Sequence, residues 1–253
     1  ATAIDLDANI EYFLTVTDNK GCIKLDSVTL TEPTTFDLFL DSFKLVKCFS
    51  ENNGAIFVSD SGGTAGVGFP TYVWSDDPTT AQDRIDLVAS AIPYKIVATD
   101  ANGCKDSVIQ LITQPTTLTV TIIDTDSVSC NGVNDGTATA LATGGTIGNG
   151  YIYTWSTIPV QNGSTATGLS PGTYTVQVTD SNGCTAPSSP VTIFEPILLT
   201  TTMTSDSASC SGFNDGSATV TANGGTTNYT YLWDANAGNQ TTATATNLLA
   251  NAP

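Results

Sequence analysis

The stretch YTVQVTDSNGC (residues 174–184) decides how this chain folds. Tyr174, Val176 and Val178 fall on one face of an extended strand and polar residues fall on the other, because successive strand side chains point to opposite sides. The stretch closes with TDSNGC, in which Asp180 can accept hydrogen bonds from downstream backbone N–H groups and Asn-Gly favours a tight turn. We therefore interpret it as a strand, a turn and the start of another strand.

Closely similar six-residue phrases occur as TDANGC (99–104) and, with Asn-Lys at the two central positions, as TDNKGC (17–22). Its cysteines follow one another at intervals of 82 and 80 residues, and a second set of three cysteines shows the same two intervals. Two independent markers with one spacing indicate a tandem repeat of about 80 residues. The first set is Cys22, Cys104 and Cys184, and the second set is Cys48, Cys130 and Cys210.

Proline joints follow each copy of the phrase and divide the chain into repeats, at Glu32-Pro33, Gln114-Pro115 and Glu195-Pro196. We expect complete repeats in residues 34–115 and 116–196. Residues 1–33 correspond to the C-terminal part of a repeat, and residues 197–253 correspond to the N-terminal part of another. The chain thus starts and stops within a repeat, which predicts a fragment of a longer protein whose sorting and anchoring segments lie elsewhere.

Each complete repeat has the residue pattern of an antiparallel β-sandwich. Thr alternates with apolar residues in LTVTII (118–123) and SATVTANGG (217–225), a pattern that suits a half-buried strand. Turn-forming Gly, Asn and Asp recur every 8–12 residues or so, and an aromatic strand ends in Trp74, Trp155 or Trp233. About seven short strands with a buried Trp predict an all-β fold of tandem Ig-like or PKD-like sandwiches.

Charge and composition exclude several functions. The net charge is −17, and residues 106–253 carry nine acidic and no basic side chains. Nucleic acid and anionic membranes are bound through Lys and Arg, so neither is an expected partner. No run of about 18 apolar residues occurs, so we expect no membrane insertion. The chain has no histidine and no phosphate-binding glycine loop with lysine, so we expect no enzymatic activity and no catalytic residue.

The six regularly placed cysteines predict disulfide bonds and an oxidising compartment. The default scheme pairs Cys48 with Cys104 and Cys130 with Cys184, which leaves Cys22 and Cys210 for partners outside the chain. The alternative pairs Cys48 with Cys184 in successive repeats. It arises because the turns that hold Cys130 and Cys184 lie at opposite ends of a standard sandwich, whereas a disulfide needs Cα atoms within about 7 Å. The sequence leaves both schemes open.

Calcium is the one cofactor that the acidic turns suggest, since this ion takes about six to eight oxygen ligands. Loops from neighbouring repeats could bring such oxygens together. The sequence has no complete ligand string, and NDG and DxNG first of all form turns. The candidate ligands are Asp135, Asp180, Asp215 and Glu195.

The pattern CNGVNDGTATALATGG (130–145), YIYTWS (151–156) and TATGLSPGTYTVQVTDSNGC (165–184) resembles the SprB repeat. Residues 210–233 match it equally well, whereas residues 48–63 are looser and carry Asn53 where the other copies have Asp. The resemblance implies a giant adhesin on the surface of gliding Bacteroidota, exported by the type IX secretion system. It implies that the repeats are stalk or filament units of an extracellular protein that serves attachment and gliding motility.

Further candidates concern partners and modification. The expected partners are neighbouring repeats of the same chain, a surface polysaccharide or the substratum, and proteins of the secretion or motility apparatus. A carbohydrate-binding module is the alternative function, with Tyr151 or Tyr229 as the glycan contact, and a docking segment for a secretion or motility protein is a third. Asp-Ser-Val and Asp-Ser-Ala triplets resemble the O-glycosylation motif of this phylum, and they name Ser27, Ser107, Ser127 and Ser207 as acceptors.

Overall fold

The computed structural model describes residues 2–249, which are almost entirely strand and loop. Within this range the only helical element is one 3₁₀ turn, Ala235–Ala237, and no described helix has the length and apolar character needed to cross a bilayer. The chain divides into two compact units between Pro115 and Thr116, where one of the predicted repeat boundaries also lies. The remaining repeat boundaries stay predictions.

The first unit contains a hairpin and a two-sheet sandwich. The hairpin consists of β1 (Glu11–Thr17) and β2 (Ile23–Thr29). The strands of the sandwich are β3 (Asp37–Lys44), β4 (Gly54–Ser61), β5 (Thr71–Trp74), β6 (Arg84–Leu87), β7 (Tyr94–Thr99) and β8 (Lys105–Gln110). They form two antiparallel three-stranded sheets, in the orders β3-β4-β6 and β5-β7-β8.

The second unit contains a sandwich followed by a separate sheet. The strands of the sandwich are β9 (Thr116–Asp126), β10 (Gly136–Gly145), β11 (Ile152–Trp155), β12 (Thr165–Leu169), β13 (Gly172–Tyr174), β14 (Val176–Thr179), β15 (Thr185–Pro187) and β16 (Val191–Ile193). They pair in the orders β9-β10-β12, β11-β14-β15 and β13-β16. The separate sheet has the order β17-β18-β19, from β17 (Thr200–Asp206), β18 (Gly216–Asn223) and β19 (Thr244–Leu248).

A tryptophan lies in the core of each sandwich. Trp74 is 3% exposed and Trp155 is 1% exposed. Each indole N–H donates to a backbone carbonyl, that of Ala81 at 2.8 Å and that of Gly163 at 3.0 Å, so the buried polar atom keeps a partner. The two cores and the antiparallel sheets confirm the predicted all-β sandwich architecture.

The strand number differs from the expected seven in both sandwiches. Between residues 34 and 115 the structure has six strands, and between residues 116 and 196 it has eight. The additional strands arise because the last hairpin of the second sandwich is split, so that β14 pairs with β15 whereas β13 pairs with β16. Pro187 and Pro190 lie in the split segment and lack the N–H that a continuous ladder needs. The corresponding strand of the first unit, β8, contains no proline and is continuous.

Both terminal segments repeat parts of the sandwiches. In the hairpin β1-β2, Tyr12 pairs with Val28, as Tyr94 pairs with Gln110 in β7-β8, so the register is unchanged after a shift of 82 residues. The sheet β17-β18-β19 has the strand order of β9-β10-β12 and the same register shift after its first glycine, at Gly216 as at Gly136. Each terminal segment is therefore half of the sandwich seen in the middle of the chain.

Candidate functional site

The TDxNGC turn is held by its aspartate. Asp180 Oδ1 accepts hydrogen bonds from the backbone N–H groups of Asn182 and Cys184, both at 2.9 Å. Asp100 does the same for Asn102 and Cys104, at 3.0 and 2.7 Å. The glycine of each turn adopts positive φ, as at Gly183 with φ of 82°, which a side chain would disfavour. The phrase thus folds locally as the sequence predicts.

The second carboxylate oxygen reaches the opposite sheet. Asp180 Oδ2 accepts the N–H of Thr146 at 2.8 Å, and Asp100 Oδ2 accepts the N–H of Thr64 at 2.8 Å. Each threonine follows a double glycine, Gly144-Gly145 or Gly62-Gly63, at the end of the neighbouring sheet's central strand. One aspartate therefore closes its own turn and joins the two sheets, and we call this three-part contact the aspartate staple.

The staple explains the double glycine. A Cβ added at Gly145 would lie 2.5 Å from Asp180 Oδ2, and one added at Gly63 would lie 2.8 Å from Asp100 Oδ2. Both glycines also have positive φ, of 63° and 65°. Sequence reasoning missed this contact, although its signal is present: a Gly-Gly-Thr precedes each complete TDxNGC by a nearly constant interval.

The two stapled carboxylates remain ionised although they are buried. Asp100 is 2% exposed and Asp180 is 4% exposed. Hydrogen bonds from the N–H groups of Thr64, Cys104 and Asn102 lower the pKa of Asp100 against the effect of burial. Burial has the largest single effect on Asp180 and raises its pKa, but the N–H groups of Thr146, Cys184 and Asn182 together outweigh it. A lowered pKa and bonded oxygens suit a structural role and not proton transfer.

The opposite end of each sandwich is closed by a residue before a proline joint. Glu195 Oε1 accepts the N–H of Gly132 at 2.7 Å, in the loop that follows Cys130. Gln114 Oε1 accepts the N–H of Ser50 at 2.7 Å, in the loop that follows Cys48. We call this the proline end and the other the aspartate end. The structure thus assigns Glu195, a predicted calcium ligand, to a loop contact that the sequence did not reveal.

The predicted calcium ligands are not gathered into one site. Asp135 accepts the N–H and hydroxyl of Ser129 at 2.9 and 2.6 Å, and Asp215 accepts those of Ser209 at 2.9 and 2.5 Å. Asp180 lies at the aspartate end of its sandwich, whereas Asp135 lies at the proline end. Within residues 2–249, no three acidic, His or Cys side chains are grouped to hold a metal ion. Calcium binding stays a prediction from the sequence.

The default disulfide scheme is wrong in this structure. Cys104 and Cys130 are free and exposed, so neither pair within a repeat forms. Cys130 precedes the first residue of β10, whereas the turn that ends at Cys184 contacts Gly145, the last residue of β10. A strand of 10 residues separates them by about 30 Å, far beyond the limit of about 7 Å for a disulfide.

Disulfide bonding is seen at one cysteine of each default pair. Cys48 and Cys184 are each disulfide-bonded, and Cys22 and Cys210 are free and exposed. The alternative pairing of Cys48 with Cys184 stays a prediction. Peptide mapping under non-reducing conditions, after alkylation of free thiols, should recover one linked peptide pair that contains these two residues; a pair that contains Cys48 and Cys104 would reject it.

The remaining candidates lie on the surface or are used structurally. The four predicted O-glycosylation acceptors, Ser27, Ser107, Ser127 and Ser207, are exposed, and their modification stays a prediction. Tyr151 is half-buried against the core, and its hydroxyl donates to the carbonyl of Gly144 at 2.8 Å. Tyr229 donates in the same way to Gly224. Both tyrosines thus hydrogen-bond to the first residue of a double glycine. A glycan contact through them stays a prediction.

Comparison with known proteins identifies a repeat type. Residues 122–160 and 202–238 match the SprB repeat, which confirms the resemblance in these two segments. No curated protein sequence matches the chain.

Two solved structures of Dscam match parts of this chain. One, described as the structural basis for Dscam isoform specificity, is 15% identical over 69% of this chain and 51% of that chain, with a TM-score of 0.30. A crystal structure of the N-terminal eight Ig domains of DSCAM isoform 1.30.30 is 9% identical over 87% of this chain and 34% of that chain, with a TM-score of 0.23. This chain thus spans about half the length of the first.

Proposed function

We propose, from the premise that this chain carries SprB repeats, that it is a stalk segment of a large cell-surface adhesin that serves attachment and gliding motility. In this role each sandwich spans distance and carries tension between a binding region and the cell. Export by the type IX secretion system and display outside the outer membrane belong to the same proposal. The disulfide-bonded state of Cys48 and Cys184 supports an oxidising, extracellular setting.

The observation that carries the proposal is the position of the two ends of each sandwich. Residue Thr116, where the second sandwich begins, pairs with Gly145 at the aspartate end. Phe194, near its last residue, accepts the N–H of Val128 at the proline end, at 3.2 Å. The first sandwich is built alike, because Thr34 accepts the N–H of Gly63 at 2.9 Å and Thr113 accepts that of Val46 at 3.0 Å. The chain enters each sandwich at one end and leaves at the other.

This placement determines how the sandwich meets a pulling force. Tension between its two ends runs along β9 and β10, which pair from Thr116–Gly145 to Asp126–Thr137. The ladder hydrogen bonds then lie across the direction of force, so they share the load and must break together. The aspartate staple adds a charge-assisted contact between the sheets, and such hydrogen bonds are roughly twice as strong as neutral ones.

A catalytic role receives no support from these sites. The buried carboxylates of Asp100 and Asp180 are bonded to backbone N–H groups and hold turns. Active sites instead present a poised acid, base or nucleophile in a cleft. The proposed function is therefore mechanical and adhesive.

Antibodies against residues 116–196 test the surface role. They should label intact, unpermeabilised cells of the organism that carries this sequence and should reduce their attachment and gliding. Antibodies against an abundant periplasmic protein are the control and should label permeabilised cells only. Labelling that also requires permeabilisation would contradict surface display, and labelling without any effect on attachment or gliding would contradict the adhesive role.

A further inference from the structure

Asn-Gly pairs occur seven times in this chain. Such a pair is chemically labile because the backbone nitrogen of the glycine can attack the side-chain amide carbon of the asparagine, and glycine has no Cβ to hinder the attack. The reaction needs a glycine N–H that is released from hydrogen bonding and an amide carbon within about 3.5 Å of the nitrogen. The pairs begin at Asn53, Asn102, Asn131, Asn149, Asn162, Asn182 and Asn223.

The pairs in the two complete TDxNGC turns are held at both reacting groups. Asn102 Nδ2 donates to Thr64 Oγ1 at 2.8 Å, and the N–H of Gly103 donates to the carbonyl of Asp100 at 3.1 Å. The Asn182-Gly183 pair makes the same two bonds in its own turn, at 2.9 and 3.0 Å. Hydrogen bonds must therefore break in both turns before the glycine nitrogen can attack.

Two further pairs are held through the asparagine side chain. Asn131 Nδ2 donates to a backbone carbonyl at 3.0 Å, and the N–H of Gly132 donates to Glu195 Oε1 at 2.7 Å. Asn53 Nδ2 donates to Glu51 Oε2 at 2.7 Å. These contacts keep each amide carbon in a fixed position.

Strand pairing restrains two more pairs through the backbone. Asn162 forms an antiparallel bridge with Thr154. Asn223 pairs with Thr200 within the sheet of β17 and β18. The backbone on the asparagine side of each pair is therefore fixed by a neighbouring strand.

The pair Asn149-Gly150 lacks these restraints. Both residues are exposed, and among residues 2–249 no hydrogen bond holds the Asn149 amide or the N–H of Gly150. A Cβ added at Gly150 would meet nothing within 4 Å, so the space around this residue is open. The backbone N–H groups of Gly148 and Asn149 donate to Ser181 Oγ, at 2.8 and 3.0 Å. The loop is thus anchored just before the two reacting groups, which are themselves free.

We propose that Asn149-Gly150 is the site at which the folded chain deamidates spontaneously at neutral pH. The nitrogen of Gly150 bonds to Asn149 Cγ, the bond from Cγ to the amide nitrogen breaks, and ammonia leaves with the proton of the Gly150 N–H. Water then opens the resulting succinimide ring at either carbonyl, which gives aspartate or an isoaspartyl link. Water is the only co-reactant, and the reaction is independent of the stalk function.

The product would change one sandwich and not the other. It places a new carboxylate at the aspartate end of the second sandwich, in the loop that Ser181 anchors. The first sandwich has Val67 at the matching position, so it lacks the reacting amide there. The modification therefore makes the two repeats chemically different at this end.

Peptide mapping of the chain after incubation at neutral pH tests the proposal. Residues 106–253 have no Lys or Arg, so pepsin replaces trypsin. Deamidation replaces NH₂ by OH and adds about 1 Da. Asn149 should react at least about tenfold faster than Asn102, because two hydrogen bonds must break first at Asn102-Gly103.

The same chain in denaturant is the control, and there the two pairs should react at similar rates. Equal rates in the folded chain would overturn the proposal, as would faster reaction at another Asn-Gly pair. It would also be overturned if Asn149 stayed intact in the folded chain over a time in which the denatured chain reacts fully.

A substitution at Val67 tests whether the open loop is sufficient. Val67 is exposed and precedes Gly68, where an added Cβ would meet nothing within 4 Å. Val67→Asn should therefore create a second labile pair that reacts within a few-fold of the rate at Asn149, while Asn102 in the same sandwich keeps its slow rate. A new pair as slow as Asn102 would contradict exposure as the cause.

A substitution at Thr64 tests the protecting hydrogen bond. Thr64→Val removes the hydroxyl that accepts from Asn102 Nδ2 and keeps the backbone N–H that donates to Asp100 Oδ2. Deamidation at Asn102 should rise roughly fivefold, the effect of losing one hydrogen bond, whereas Asn149 keeps its rate and serves as the internal reference. An unchanged rate at Asn102 would contradict protection by this bond.

Discussion

The complete and half sandwiches carry the same motifs with different consequences. In all three turns, TDNKGC, TDANGC and TDSNGC, the aspartate Oδ1 accepts hydrogen bonds from two backbone N–H groups of the turn. Only in the complete repeats does Oδ2 also bind the threonine after the double glycine. Likewise Trp155 is buried and Trp233 is not. The comparison shows that the turn is encoded locally, whereas the staple and the aromatic core exist only when both sheets are present.

The largest expected difference concerns the tryptophans. Trp155→Ala should lower the free energy of unfolding of the second sandwich by about 4 kcal/mol, because it leaves a cavity in a closed core. Trp233→Ala should cost about 1 kcal/mol, since Trp233 is half-buried with no opposing sheet. Urea denaturation of each variant measures both values. Equal losses would mean that the C-terminal segment forms a closed core by itself.

Replacing a glycine of the double glycine should likewise cost more stability in the complete repeat than in the C-terminal segment. Gly145→Ala should cost about 3 kcal/mol, because it adds a clash with the Asp180 carboxylate to the strain of a side chain at positive φ. Gly225→Ala should cost roughly 1 to 2 kcal/mol, the strain alone, since its Cβ would meet only Leu199, at 3.3 Å. Thermal denaturation compares the two variants with the wild type. A Gly225→Ala loss as large as that of Gly145→Ala would contradict a clash with Asp180 as the cause of the difference.

Asparagine substitutions test the staple directly. In Asp180→Asn, an amide NH₂ can face the N–H of Thr146, where it donates and cannot accept. The loss of a charge-assisted bond should cost about 2 kcal/mol of unfolding free energy. Asp18→Asn should have a much smaller effect, because Asp18 is exposed and its Oδ1 contacts survive as amide contacts. Chemical denaturation of both variants under one condition gives the two losses of unfolding free energy. Losses of equal size would contradict the role assigned to the Asp180 Oδ2 atom.

Acid should destabilise the complete repeats. The pKa values of Asp100 and Asp180 are lower in the folded chain than the ordinary value of 3.8. Their contribution to stability is therefore full well above pH 3.8 and is lost as the pH falls through the lower folded pKa. Urea midpoints measured from neutral to acidic pH should fall for the wild type and fall less for Asp180→Asn. An identical slope in the two proteins would show that Asp180 does not cause the acid loss.

Much of the fold follows from short-range patterns in the sequence. Alternation in residues 174–178 predicts the strand faces, and TDxNGC predicts the turn, because both depend on neighbours within a few residues. The staple joins Asp180 to Thr146, and the loop contact joins Glu195 to Gly132, 34 and 63 residues apart. Such contacts depend on which ends of which strands meet, and a periodicity of two does not encode that.

The default disulfide scheme is wrong because the sequence does not show which strand ends meet. Pairing Cys130 with Cys184 is reasonable by counting cysteines within a repeat, but the two lie at opposite ends of β10. Strand topology argues against pairing these two cysteines, but the sequence indicates that topology only by analogy with other sandwiches. Pro187 and Pro190 are the sequence signal that predicts the interruption between β15 and β16.

Stretching a single molecule by its two ends, after reduction of disulfides, tests most directly whether closed sandwiches carry the load. The account predicts two unfolding events of similar force, one for each complete repeat. Each should release about 25 nm of chain, the extended length of roughly 80 residues less the folded length. Extension without discrete events, or two events that release clearly different lengths, would contradict a stalk built from one repeated sandwich.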